Sequence, residues 1–310
     1  VTRTDVRRVG IDVGGTKCLG IALAADGSVL DQRRVPTPND PEQLIDTLAE
    51  ITAALGAHEV VGIAVPGLVN RDGVLLAAPN LTNVTMLPLR ELLEQRSGVR
   101  VVVDNDNTAA CMAEWVLGAG RGCDDVVLVG LGTGIGGGFV SGGKLQRGHH
   151  GFAGEFGHMV VQPDGLLCPC GQRGCWERYA SGSGLAHLAR EAAAAGQLAT
   201  VLAAAGSLDE VRGEHVTAAA RDADPEALAV LDTYARWVAV GLVNLTNLFD
   251  PGRIVLSGGL SAEADLYLPP IAQAFENTLF AARLRPRPTL GFAELGPLAG
   301  GIGAALLVDI

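Results

Sequence analysis

Apolar and polar positions along this chain fall into blocks, and one block occurs twice. Residues 9–13 form a short apolar run that stops at Gly14-Gly15-Thr16-Lys17. Residues 18–23 form a second run, ended by the turn pair Asp26-Gly27, and residues 28–34 continue as a third. Runs of this length bounded by glycine turns predict strand, turn, strand, turn, strand. The block returns later in the chain. Residues 126–131 are apolar, Gly132-Thr133-Gly134 turns, residues 135–140 are apolar again, and Ser141-Gly142-Gly143 turns into Lys144-Leu145.

The period changes after each block. Residues 41–55 open on a proline and place Leu44, Ile45, Leu48, Ile51, Ala54 and Leu55 on one helical stripe. Residues 60–65 and 99–103 predict buried strands, with a helix over 87–95 between them, ended by Ser97-Gly98. In the second half, residues 225–249 predict a long helix stopped by Asp250-Pro251-Gly252. A strand over 253–256 then runs into Ser257-Gly258-Gly259, and a last helix starts near residue 298. Strands alternating with helices predict α/β domains with largely parallel sheets. Two halves with the same opening indicate an internal duplication. The expected architecture is therefore an actin-like (ribonuclease H-like) duplicated ATPase fold with two domains and a ligand cleft between them. Residues 1–110 are expected to form a small α/β domain joined by the C-terminal helix 298–310, and residues 111–297 a large α/β domain.

Composition narrows the partners. Of 310 residues, 48% are hydrophobic and 18% charged, which fits a packed globular chain rather than a disordered one. The 42 glycines show no three-residue period and collect in loops suited to close backbone approach to a ligand. A net charge of −11 with no basic patch disfavours nucleic acid and anionic lipid as partners. The apolar stretch 228–249 contains Asp232, Arg236 and Asn244, so no membrane span is expected. The first residues, VTRTDVRR, lack the apolar core of a leader, and a cytoplasmic protein is expected. Six cysteines do not make a disulfide scaffold. Three of them crowd into eight positions, which suggests metal in a reducing compartment.

Three constellations carry candidate chemistry. The first is a pair of glycine turns. In Asp12-Val13-Gly14-Gly15-Thr16-Lys17, free backbone N–H groups form an anion nest, Thr16 adds a hydroxyl, Lys17 a cation, and Asp12 a carboxylate able to orient Mg²⁺ through water. The turn leads to a strand rather than a helix, and GxxxxGK[ST] is absent, so neither a P-loop nor a Rossmann site is expected. Paired with Gly132, Thr133, Gly134 and Gly136, it suggests two phosphate loops, and Gly258-Gly259 would let a nucleoside lie against the backbone. The second is Asp104-Asn105-Asp106-Asn107 at the end of a strand, where sites of α/β sheets fall. Phosphoryl transfer to a sugar hydroxyl needs a carboxylate to accept the proton and donors to hold its neighbours. The pattern does not choose between Asp104 and Asp106. The third is His158, Cys168, Cys170 and Cys175, three thiols and an imidazole whose expected role is a closed, structural zinc site, the alternatives being a strained Cys168–Cys170 disulfide or free thiols.

Together, Asp12 to Lys17, Asn105-Asp106, Glu155-Phe156-Gly157-His158 and the CxCGxxGCxE run from Cys168 to Glu177 resemble the ROK family (repressors, open reading frames, kinases) over nearly the whole chain. The resemblance implies an ATP-dependent sugar kinase with Mg²⁺ and structural zinc, assembled as a homodimer or homotetramer. Glucose, at its 6-hydroxyl, is the expected acceptor. N-acylmannosamine, N-acetylglucosamine or fructose are alternative acceptors, and polyphosphate an alternative donor. By the same resemblance Asp106 is the catalytic base. Gly67, Asn80, Asn105, Asp106, Glu155, His158 and Glu177 contact the sugar, His158 serving zinc as well. Asn107 departs from the small residue common at that position. Repressors of the family carry a helix-turn-helix module ahead of the first glycine loop. With eleven residues before Asp12, no such module is expected.

Overall fold

The computed structural model describes residues 8–78 and 84–309. In chain order, β1 (Arg8–Val13), β2 (Lys17–Leu23) and β3 (Val29–Pro36) form the first meander, followed by α1 (Pro41–Ala54) and β4 (Val60–Val65). Short strands β5 (Leu68–Val69), β6 (Leu75–Ala77) and β7 (Thr85–Leu87) precede α2 (Leu89–Ser97), β8 (Arg100–Asn105) and α3 (Asp106–Val116). The second meander is β9 (Val126–Leu131), β10 (Ile135–Ser141) and β11 (Lys144–Gln146). After a long loop come α4 (Glu177–Ala180), α5 (Gly182–Ala194), α6 (Ala199–Ala205), α7 (Gly213–Arg221) and α8 (Pro225–Phe249). The chain closes with β12 (Arg253–Ser257), α9 (Ala264–Thr278), β13 (Thr289–Phe292) and α10 (Ala299–Leu306).

The main sheets have the orders β3-β2-β1-β4-β8 and β11-β10-β9-β12-β13, so each half lays its strands down as third, second, first, fourth, fifth. This is the duplication expected from the sequence. The sheets are mixed, which corrects the expectation of largely parallel ones. β1 and β3 both run antiparallel to β2, whereas β4 runs parallel to β1 and β8 to β4. Glycine turns of a few residues cannot make a parallel crossover, which needs a dozen or more. Only strands separated by a helix run parallel.

By spatial proximity the chain divides into two compact units. The first holds residues up to 128, Gly138–Gly154 and residues from 294 onward; the second holds Val129–Gly137 and Glu155–Ala293. The division passes through β9 and β10. The sequence boundary at 110/111 falls inside α3.

In the first unit the strand period of two sorts side chains onto two faces. Val9, Ile11 and Val13 pack with Leu44, Leu48, Leu89 and Leu93 of α1 and α2. On the other face Leu19, Ile21 and Val102 pack with Ala109 and Met112 of α3 and with Ile302 and Ala305 of α10. A Cβ on Gly62 would lie 1.8 Å from the Ala304 carbonyl, and one on Gly303 would lie 1.8 Å from that of Ala109. Backbone therefore meets backbone where α10 crosses β4 and α3. In the second unit, α8 is by length and composition able to cross a membrane, but half of its most apolar stretch is buried. Val230, Leu231, Tyr234, Val238, Leu242 and Leu245 form that buried stripe, and α5, α7 and α9 pack on the helix.

Candidate active site

In the first unit, the expected glycine loop joins β1 to β2. Gly14 N–H donates to the Lys17 carbonyl at 3.0 Å, and the Thr37 hydroxyl donates to the Gly14 carbonyl at 2.7 Å. Gly15, Thr16 and Lys17 are exposed at the tip. Asp12 sits at the strand end against α10, where a Cβ on Gly300 would come within 2.6 Å of its carboxyl carbon. Burial, and then the nearby Asp106 carboxylate, push Asp12 up to about 7 despite the opposing pull of Lys17. A buried acid whose proton affinity is raised by a neighbouring carboxylate is relieved by a cation, which fits Asp12 as a Mg²⁺-orienting group.

The strand end that carries Asp104-Asn105-Asp106-Asn107 distinguishes the two acids. Asp104 is 1% exposed and pairs with Arg147, Nε to Oδ2, at 2.5 Å. Asn105 is the N-cap of α3, its Oδ1 accepting the Asn107 and Thr108 N–H groups, while its Nδ2 donates to the Gly67 carbonyl at 3.1 Å. Gly67 thus lies beside Asn105, at a φ of 100°. Asp106 opens the helix, and its Oδ1 accepts from both the backbone N and the Nδ2 of Asn107 at 2.9 Å. Asn107, the departure noted in the sequence, is thereby the residue that orients Asp106. Burial raises the Asp106 pKa, with the Asn107 hydrogen bonds pulling the other way. Asn80 lies outside the described residues.

In the second unit, His158, Cys168, Cys170 and Cys175 bring four ligand atoms within 4.8 Å of one another. Cys170 and Cys175 Sγ are 3.6 Å apart, and Cys168 Sγ is 4.0 Å from His158 Nδ1. Ligands about 2.1–2.3 Å from a tetrahedral zinc have edges of this size, so the set fits the metal. The loop has little core of its own. It is anchored by Trp176, fully buried against Gly241 of α8, whose indole N–H donates to the Trp237 carbonyl at 2.7 Å. Gly174 closes the turn at φ 78°, where any Cβ would strike the Gln162 carbonyl.

Glu177, next in the chain after Trp176, joins the cluster to the second glycine loop. Its Oε1 accepts from Cys168 Sγ at 3.0 Å and lies 3.8 Å from His158 Nδ1, while Oε2 accepts from Ile135 N at 3.4 Å. A Cβ on Gly134 would sit 2.5 Å from that oxygen. Glu155 Oε2 is 3.9 Å from His158 Nε2, so one imidazole lies between two carboxylates.

The remaining loop residues border a cavity of about 1050 Å³ within this unit. Gly132, Thr133 and Gly259 line it. Gly258, at φ 102°, turns the chain tightly against the Leu131 carbonyl behind it, and Gly136 lies within β10. The opposite walls come from residues that the sequence reading missed: Ser183 and Arg190 of α5, Glu214, Thr217 and Arg221 of α7, and Tyr267 of α9. Ser183 donates to the Thr133 carbonyl at 2.8 Å, and Arg221 bridges to Glu263 and Asp265. The helical periods announce these elements only weakly, and no motif marks their polar residues.

Twice-repeated mixed sheets, each opening on a glycine-turned meander, define the class: this is an actin-like ATPase fold. The chain belongs to the ROK family, whose profile matches residues 8–310. It is 43% identical over 304 residues to a glucokinase of Streptomyces coelicolor, covering 96% of each chain, and 36% identical over 311 residues to an N-acetylmannosamine kinase of Escherichia coli, covering 97% and 98%. Among solved structures it resembles a ROK family glucokinase from Streptomyces griseus in complex with glucose and AMPPNP. That match has a TM-score of 0.84 and 42% identity, over 97% of this chain and 99% of the other.

Proposed function

We propose that this protein is an ATP-dependent glucokinase that transfers the γ-phosphoryl group of ATP to the 6-hydroxyl of glucose, with Asp106 as general base. The observation that carries the reading is the oriented, partly buried carboxylate of Asp106 at the end of β8, in a chain alignable along its length with glucokinases. Asp106 accepts the hydroxyl proton as that oxygen bonds to the γ-phosphorus and ADP departs. Desolvation raises its basicity, which favours proton acceptance in the transition state. Asn105, Asn80, Glu155, His158 and Glu177 are assigned to the remaining hydroxyls, and the backbone beside Gly67 to the sugar's edge. Thr16 and the N–H groups of the two glycine loops hold phosphate oxygens, and the cavity behind Thr133 takes the nucleoside. Mg²⁺, oriented by Asp12, would neutralise phosphate charge when bound. Zinc on His158 and the three cysteines would fix the imidazole, leaving Nε2 to face the substrate. Assembly as a homodimer or homotetramer completes the proposal and is read directly by light scattering.

The similarity to N-acetylmannosamine kinases supports one second reading, an acyl-amino sugar as acceptor. ADP release measured on a panel of glucose, fructose, N-acetylglucosamine and N-acetylmannosamine separates the two. Glucose is expected to give the highest kcat/KM. A preference for N-acetylmannosamine would replace the glucokinase reading, and no sugar-dependent ADP release at all would end the kinase one.

A further inference from the structure

Every residue from Val103 to Asn107 is held by a hydrogen bond or ion pair, and two of these restraints come from a single side chain far away in sequence. Arg147, just after β11, forks its guanidinium. Nε meets Asp104 Oδ2 at 2.5 Å, and Nη2 donates to the Val103 carbonyl at 3.2 Å. Asp104 Oδ1 accepts from the Asn105 backbone N–H at 2.9 Å. Asp104 Oδ2 and Arg147 Nε are buried, and neither has another hydrogen-bond partner among the described residues. A buried ion pair is seldom the most stable filling for its volume, since an apolar pair of similar size commonly does as well. What a fork adds is geometry.

The arginine is itself fixed at its other end. It begins a loop closed by Ala153 N–H donating to the Arg147 carbonyl at 3.2 Å. Arg71, at the tip between β5 and β6, grips the same loop. Its Nε and Nη2 donate to the Gly148 carbonyl at 3.1 and 2.6 Å, and its own N–H donates to the His150 carbonyl at 3.1 Å. The loop ends at Gly154, and the next residue is Glu155.

We propose that Asp104 and Arg147 are positioning residues for phosphoryl transfer. Their pair locks the last turn of β8, so that Asn105 and Asp106 are presented at one fixed angle, and ties that strand end to the segment leading into Glu155. Neither residue touches the substrate. The inference rests on Asp106 being the base of a sugar kinase. Its effect therefore falls on the sugar side of the reaction and leaves nucleotide binding alone.

Two variants test it, with the wild-type enzyme run alongside. D104N/R147M removes both charges at nearly constant volume and strands neither, so it is expected to fold with an unchanged far-UV spectrum. Its kcat/KM for glucose should fall by about 10- to 100-fold, the size of effect that a misplaced reacting group produces, while KM for ATP stays at the wild-type value. R147K keeps the charge but loses the fork, and should show a smaller loss in the same parameter. Amide exchange at residues 105–108 should quicken in both, a readout that does not depend on turnover. Wild-type glucose kinetics in folded D104N/R147M would overturn the proposal. Should that variant not fold, wild-type glucose kinetics in R147K would overturn it instead. A wild-type enzyme inactive on every hexose would sink the kinase reading, and exchange at residues 105–108 would still decide whether the pair locks the strand end.

Discussion

Two carboxylates separated by one residue reach different chemical fates because their surroundings differ. Asp104 points to a guanidinium and is spent on structure, whereas Asp106 is held by neutral groups, among them the backbone N–H and side-chain amide of Asn107. Asp106→Asn should therefore lower kcat by several orders of magnitude while glucose still binds, as calorimetry would register. Equal loss of affinity and rate would reduce Asp106 to a substrate contact. Since burial raises its pKa, the acid limb of kcat/KM should lie above the ordinary carboxylate range and shift when Asn107 is replaced by Ala. Asp12 bears on stability instead. Folding raises its pKa from 3.8 to about 7, so between these values the native state holds the proton more tightly than the unfolded chain. Stability is thus lost as pH rises through that window. Without Mg²⁺ or nucleotide, Asp12→Asn should be more stable than wild type at pH 8, by on the order of 2–4 kcal/mol, and the advantage should vanish near pH 4. Urea unfolding at the two pH values measures it, and a pH-independent difference would contradict the assignment.

Individual elements depend on contacts that their own sequence does not announce. Glu114, fully buried on α3, accepts from Ala119 N and Glu294 N through Oε2 and from Leu295 N through Oε1, at 2.8–3.1 Å. It ties the chain entering α10 to α3. Glu114→Gln turns an amide N–H₂ toward backbone donors and should cost about 3 kcal/mol, seen as a lower denaturation midpoint. The loop of the cysteine–histidine cluster is a second such element. One zinc per chain is expected by elemental analysis, and Cys170→Ser should lower Tm along with zinc content. A zinc-free protein of full stability would show that Trp176 alone holds the loop. The cysteine spacing made this element legible in the sequence. The short helices α4 to α7 and the small sheet β5-β6-β7 were not, because short segments carry too few periods to stand out. Packing on α8 positions α4, α5 and α7, α6 packs on α5 and α7, and β5 lies against β8.

At the scale of the molecule, duplication gives each half the same sheet order, and its repeated pattern of apolar runs and glycine turns could be read directly. Ligands that bind only the folded chain should stabilise it by mass action. At a hundred times its Kd, glucose should contribute about 2.7 kcal/mol, and an ATP analogue with Mg²⁺ should raise Tm further. An unchanged Tm with glucose would argue against a preformed sugar site. The sequence by itself determined the strands of the two meanders, their glycine turns, the cysteine–histidine cluster and the acid pair, since each is written in neighbouring residues whose backbone or ligand geometry is local. Tertiary structure alone decided that Asp104 is claimed by Arg147, that Glu177 stands between the cysteine–histidine cluster and Gly134, and that α5, α7 and α9 wall the cavity behind Thr133. Those relations join residues tens of positions apart. They depend on which faces of separate elements meet, and no periodicity within a single element encodes that.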